Sequence, residues 1–166
     1  MKSIIIKRVV AIMGIALVCY LAWAVYRMSR VPGNAYATQG AADLIIHHLQ
    51  LNSNHWPRSW SELNETYSKL ARDYAQIDVN GRIQWPGADG WVASSLEEIH
   101  KRIEIDWNVE LEILQKTKAT NGLRPFRVVW LRDGTHTHWQ GMEPNRIIWN
   151  YLQNPVPLVP PESPVK

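Results

Sequence analysis

The sequence predicts an α+β fold: an N-terminal transmembrane helix, then a small domain of helices packed on antiparallel hairpins. Three observations predict it. Eighteen uncharged residues run from Val9 to Tyr26, apolar residues recur at helical spacing beyond residue 34, and alternating strand pairs are punctuated by Asn80-Gly81 and Asp133-Gly134. The chain divides accordingly into an anchor with basic flanks (1–30), an exported domain (31–153) and a proline-rich tail (154–166).

At 1.5 Å per residue the uncharged run is about 27 Å long, close to the hydrocarbon thickness of a bilayer. Ile4 to Ile6 extend it if Lys7 and Arg8 reach toward headgroups, and Tyr20, Trp23 and Tyr26 fall at its far end, where amphipathic rings favour the interface. The amino terminus, Lys2, Lys7 and Arg8 outweigh Arg27 and Arg30. The expected localisation is therefore a single-pass membrane protein, attached through residues 9–26, with the N-terminus cytoplasmic and the domain outside. Ala22-Trp23-Ala24 also fits a small-x-small cleavage pattern, so the alternative is cleavage after Ala24 and a soluble exported protein. The apolar run is longer than an ordinary signal-peptide core, which favours the anchor.

Charge follows the same division. The chain has 18 Lys and Arg against 15 Asp and Glu; five of the bases precede residue 31, and no acid precedes Asp43. The remainder, with 13 bases and 15 acids, lacks the clustered cations a phosphate backbone requires, so nucleic acid is not an expected partner. Cys19, the only cysteine, lies in the apolar run, so the domain has neither a disulfide nor a thiol nucleophile and must hold by packing.

Within the domain, Pro32-Gly33 predicts a break after the anchor, with Asn34 capping a helix to about Leu51 that buries Ala37, Ala41, Leu44, Ile45, His48 and Leu49. A loop follows, and Ser59-Trp60-Ser61-Glu62 forms a capping box for a helix from Trp60 to about Tyr74 that buries Leu63, Tyr67, Leu70 and Tyr74. For the first hairpin, a two-residue Asn80-Gly81 turn would mix apolar with polar partners. A three-residue loop instead pairs Ile77 with Ile83 and Asp78 with Arg82, and is preferred.

Ser94 or Ser95, ahead of Glu97 and Glu98, starts a short helix to about Arg102, and Ile103 to Trp107 alternates as a half-buried strand. Val109 to Lys118 has the pattern of another helical turn or two. Phe126 to Leu131 is a strand joined by Asp133-Gly134 to residues 135–140, a two-residue turn pairing Trp130 with Thr137 and Leu131 with His136. Pro144 leads a last helix to about Leu152, and the five prolines after residue 153 read as a flexible tail.

His136 and His138 fall on one side of a predicted strand, a spacing used by metal sites, with His47, His48 or His55 as the third ligand such a site would need. The commoner reading of that pair is a partly exposed sheet face, and no metal or cofactor is assigned. Eight of the nine tryptophans lie beyond residue 30 beside a single phenylalanine. Trp107 and Trp130, in alternating strands, are expected in the core. Trp56 and Trp91, in loops beside proline or glycine, are the expected ligand or partner surface. There is no Gly-x-Ser-x-Gly, phosphate loop or His-Glu-x-x-His, so no catalytic residue is assigned.

The order of a membrane helix, a second helical stretch, Asn54-His55-Trp56-Pro57-Arg58-Ser59-Trp60-Ser61-Glu62-Leu63 and then hairpins resembles type II secretion pseudopilins and related pilin-like proteins. Those proteins often follow their long helix with an aromatic-Pro-x-Ser turn leading to a leucine. The resemblance covers residues 9 to 85 in layout and about ten residues in motif. It implies an exported helix-on-sheet domain that assembles with an envelope protein partner rather than catalyses. The chain departs from the family in its leader, since Gly14 lies inside the apolar run and the fifth residue after it is Cys19 rather than glutamate. Pro32-Gly33 is a further expected departure, because it would interrupt a continuous helix. An envelope glycan-binding module using exposed tryptophans is the alternative function, and a metal-dependent hydrolase using His136 and His138 the third.

Overall fold

A computed structural model describes residues 2–73, 76–77, 83–84, 95–118, 125–136 and 143–158, with side chains from residue 12 onward except 27, 30, 76–77 and 83–84. The chain separates into two compact units, Met1–Gly33 and Asn34–Lys166. Helix α1 (Lys2–Leu51) contributes to both.

The expected break at Pro32-Gly33 is not there. Proline removes one intrahelical N–H donor, which in a helix interior costs about 3 kcal/mol, yet α1 contains Pro32 and continues to Leu51. Strong helical pattern on either side outweighs that loss. Asn34 is consequently an interior residue rather than a cap. Its buried side chain instead accepts from Arg102 Nη1 at 3.0 Å and donates to Asp133 Oδ2 at 3.3 Å. In the first unit the described apolar side chains from Ile12 to Tyr26 are largely exposed, and α1 is the one helix among the described residues long and apolar enough to cross a membrane.

In the second unit α1 is buried along most of its length. The six residues of the expected stripe are all buried, but so are Asn34, Ala35, Thr38 and His47, so the helix is covered on most sides. Thr38 is accommodated by bonding back to the carbonyls of Asn34 and Ala35. Residues of α1 join those of α2 (Trp60–Asp73), α3 (Leu96–Arg102), α4 (Leu111–Lys116) and α5 (Pro144–Gln153) in one hydrophobic core. Helix α2 opens as its capping box predicts: Ser59 Oγ accepts from the Glu62 amide at 3.4 Å, and Glu62 reaches back to the Arg58 amide at 2.9 Å. Its buried positions are Leu63, Thr66 and Leu70, with Tyr67 half-buried; Tyr74 lies outside the described residues. Ser95 is the cap of α3, accepting from the Glu98 amide.

Strands β1 (Gln76–Ile77) and β2 (Ile83–Gln84) pair antiparallel with Ile77 opposite Ile83, the register that apolar matching favours; residues 78–82 lie outside the description. Strand β3 (Ile103–Ile105) pairs antiparallel with β4 (Val129–Leu131), placing Glu104 opposite Trp130. The turn after β4 differs from expectation. Gly134 N donates to Leu131 O at 3.0 Å, so the turn is centred on Arg132-Asp133, and Gly134 follows with φ +71°, which a side chain would strain. The intended Leu131–His136 pairing is lost with that one-residue shift, and residues 137–142 lie outside the description.

Asn145, fully buried at the start of α5, locks β4 in place: its Oδ1 accepts from the amides of Val128 and Val129, and its Nδ2 donates to Val129 O. Gln50 Nε2 donates to Val156 O at 2.7 Å and Leu158 packs on the core, so packing continues past residue 153.

Candidate functional site: a polar groove at the end of the long helix

Helix α1 stops in a left-handed closure. Ser53 and Asn54 have φ of 52° and 60°, and Asn54 N donates to Leu49 O at 2.8 Å, the six-to-one bond that ends many helices. This folds the following loop back over the domain. Pro57 is fully buried, and Trp56 is only 7% exposed with its indole N–H donating to Asp106 O at 2.8 Å. Trp56 is therefore a core ring and not the exposed platform expected from its loop position. Tryptophan beside proline is exposed only where the loop stands off the domain, and here the helix cap pulls it in.

Between the end of α1, this loop and α2 lies a groove of about 620 Å³, a size ordinary for small-molecule sites. Its wall holds His48, 5% exposed, on α1 and Glu62, Glu65 and Lys69 on α2, with Asn52 and Arg58 from the loop. The imidazole has a fixed orientation. Asn52 Nδ2 donates to the His48 carbonyl at 2.9 Å, which sets the amide, and lies 3.2 Å from His48 Nδ1. An amide nitrogen only donates, whereas the Thr66 hydroxyl can donate or accept, so the ring is held in place in either tautomer. Thr66 Oγ1 sits 2.7 Å from the same Nδ1.

Burial is the main influence on His48 and holds its pKa below the usual histidine value, despite the opposing pull of Glu62 and Glu65. The ring is therefore neutral near pH 7. Nε2 lies 3.8 Å from Glu62 Oε2, beyond hydrogen-bond reach.

The other expected site residues are scattered. His136 is exposed just after the β4 turn, whereas Trp91 and His138 lie outside the described residues. Among the described residues no three His, Cys, Asp or Glu side chains gather to hold a metal. Trp107 and Trp130 are half-buried rather than core: Trp107 meets Trp60 edge-on at 5.5 Å, and Arg127 lies 5.2 Å over Trp130. The groove was missed because His48 reads as one more residue of a buried stripe. The available signal was a histidine on that stripe four residues before Asn52, with a charged helix start following a short loop.

No protein-family model, curated protein or solved structure matches the chain. The class is defined by its own features: a largely helical α+β domain with small antiparallel sheets, preceded by a helix long and apolar enough to cross a membrane.

Proposed function

We propose that this is a single-pass, membrane-anchored extracytoplasmic protein of non-enzymatic type, working by protein contact in an envelope assembly and pilin-like in layout. The observation that carries the reading is α1 itself. One helix runs from Lys2 to Leu51, with exposed apolar residues in its first half and the domain core built on its second. Continuity across Pro32-Gly33 supports the layout that the resemblance implies. The absence of any acid before Asp43 means that copies would associate by helix packing rather than by an intramembrane ion pair.

The test combines three measurements on washed membranes. A full-length intact mass, a C-terminal tail open to protease in spheroplasts, and an oxidant-induced Cys19–Cys19 disulfide between copies are the expected results; Cys19 is exposed in the apolar stretch. A mature mass starting at Val25, or a tail protected in spheroplasts, refutes the anchored outward domain. Loss of the disulfide alone refutes helix-mediated assembly.

A further inference from the structure

The stretch Pro32-Gly33-Asn34 carries every local signal for a helix break, yet α1 runs through it. Pro32 has no N–H for the turn before it, Gly33 loses more freedom in a helix than any other residue, and asparagine is a preferred cap for a helix that starts beside it. The second unit begins at that asparagine.

The structure uses the Asn34 side chain differently. It is 7% exposed and faces two other elements. Arg102 Nη1, at the end of α3, donates to Asn34 Oδ1 at 3.0 Å. Asn34 Nδ2 donates to Asp133 Oδ2 at 3.3 Å and to Thr135 Oγ1 at 3.4 Å, both at the turn after β4. A guanidinium only donates and a carboxylate only accepts, so the amide has one orientation. Its partners are themselves tied down. Arg132 N donates to Arg102 O at 2.8 Å, Arg102 Nε donates to Glu98 Oε2 at 2.9 Å, and Thr135 N and Oγ1 both donate to Asp133 Oδ1. An Oδ1 directed at Arg102 is turned away from the amides of Tyr36 and Ala37, one of which a cap would engage.

We propose that Asn34 is the catch of a conformational joint in α1. While its amide is held by Arg102 and Asp133, the helix is continuous across Pro32-Gly33. Released, the same amide caps a helix starting at Ala35, and α1 parts at Pro32-Gly33. One set of hydrogen bonds replaces another, so the element has two discrete states rather than a graded bend. Asp133 and Gly134 are exposed, so a partner that draws the β4 turn aside shifts the joint by as much as it prefers the parted state. The inference goes beyond the assembly reading and does not depend on it.

The test is amide hydrogen exchange, resolved to single residues, on the full-length protein in phosphatidylcholine nanodiscs. Arg102→Met, which keeps an aliphatic stem, and Asp133→Ala, at an exposed turn, each remove one partner and leave Asn34 able to cap. In both variants the amides of Asn34, Ala35 and Tyr36 are expected to exchange at least fivefold faster, while those of Leu44 to Leu49 keep their rates. Adding Gly33→Ala, which disfavours the parted state, is expected to slow the three amides at least threefold in each variant. A smaller acceleration in either variant overturns the proposal. Acceleration spread equally from Asn34 to Leu49 overturns it too, because that is loosening of the whole domain. So does exchange that Gly33→Ala fails to slow, since the helix would then part elsewhere.

Discussion

The two halves of α1 share one backbone helix and almost nothing else. From Ile12 to Tyr26 it presents apolar side chains on every side, most of them more than half exposed, and no polar face. From Asn34 to Leu51 it carries small and branched residues inward, with Asn34, His47 and His48 each supplied with a polar partner. An all-round apolar helix needs a different solvent, whereas a helix covered by its own domain needs neighbours with matching shape and hydrogen bonds. Helicity alone therefore says nothing about environment; composition around the helix does.

The contrast can be broken most severely by charge. Leu17→Lys with Leu21→Lys places two ammonium groups in the apolar half, at about 2.5–3.5 kcal/mol each for insertion. The expected outcome is loss from carbonate-washed membranes with the domain's melting temperature unchanged. A falling melting temperature would mean that this half packs on protein instead. In the other half, Ile45→Ala opens a cavity at a fully buried position and should cost about 2–5 kcal/mol in unfolding stability, with membrane retention intact. Chemical denaturation with a membrane-fraction assay reads both sides.

How far the sequence could be read differed with the range of the interaction. Ser95, the Ser59–Glu62 box, Pro144 and the Ile77–Ile83 register were legible because each depends on a few adjacent residues. Pro32-Gly33 misled because a local helix breaker competes with fifty residues of helix, a sum no local rule weighs. Trp56 misled because its exposure depends on Asp106, fifty positions away. The groove was illegible for the same reason: His48, Glu62 and Thr66 become neighbours only once the left-handed cap at Ser53 and Asn54 has turned the chain. At the β4 turn a single residue decided the outcome, since Gly134 takes the left-handed position after the turn rather than a place within it.

The junction between the halves gives a finer test. Gly33 lies inside α1 and is absent from the positive-φ residues among those described. Gly33→Ala should therefore add about 0.5–1 kcal/mol of stability by removing backbone freedom from the unfolded chain, with a small rise in helical circular dichroism. A loss of stability would locate the expected break after all.

The smallest effect concerns protons, and belongs to the buried half alone. Burial lowers the pKa of both His47 and His48 from the ordinary value of 6.5, with Gln50 partly opposing it at His47 and Glu62 and Glu65 at His48. A histidine depressed in the folded state is protonated more readily when unfolded, so the unfolded chain takes up more protons as the medium is acidified. The stabilisation is complete above pH 6.5 and is lost as pH falls from there through the lower folded values. Melting curves between pH 7.5 and 5 should thus show a decline beginning near 6.5, before the carboxylates titrate. His48→Gln, which keeps a polar side chain beside Thr66, should flatten that decline while membrane retention stays constant across the range. A decline unaltered by the substitution would assign it to His47 or to the acids.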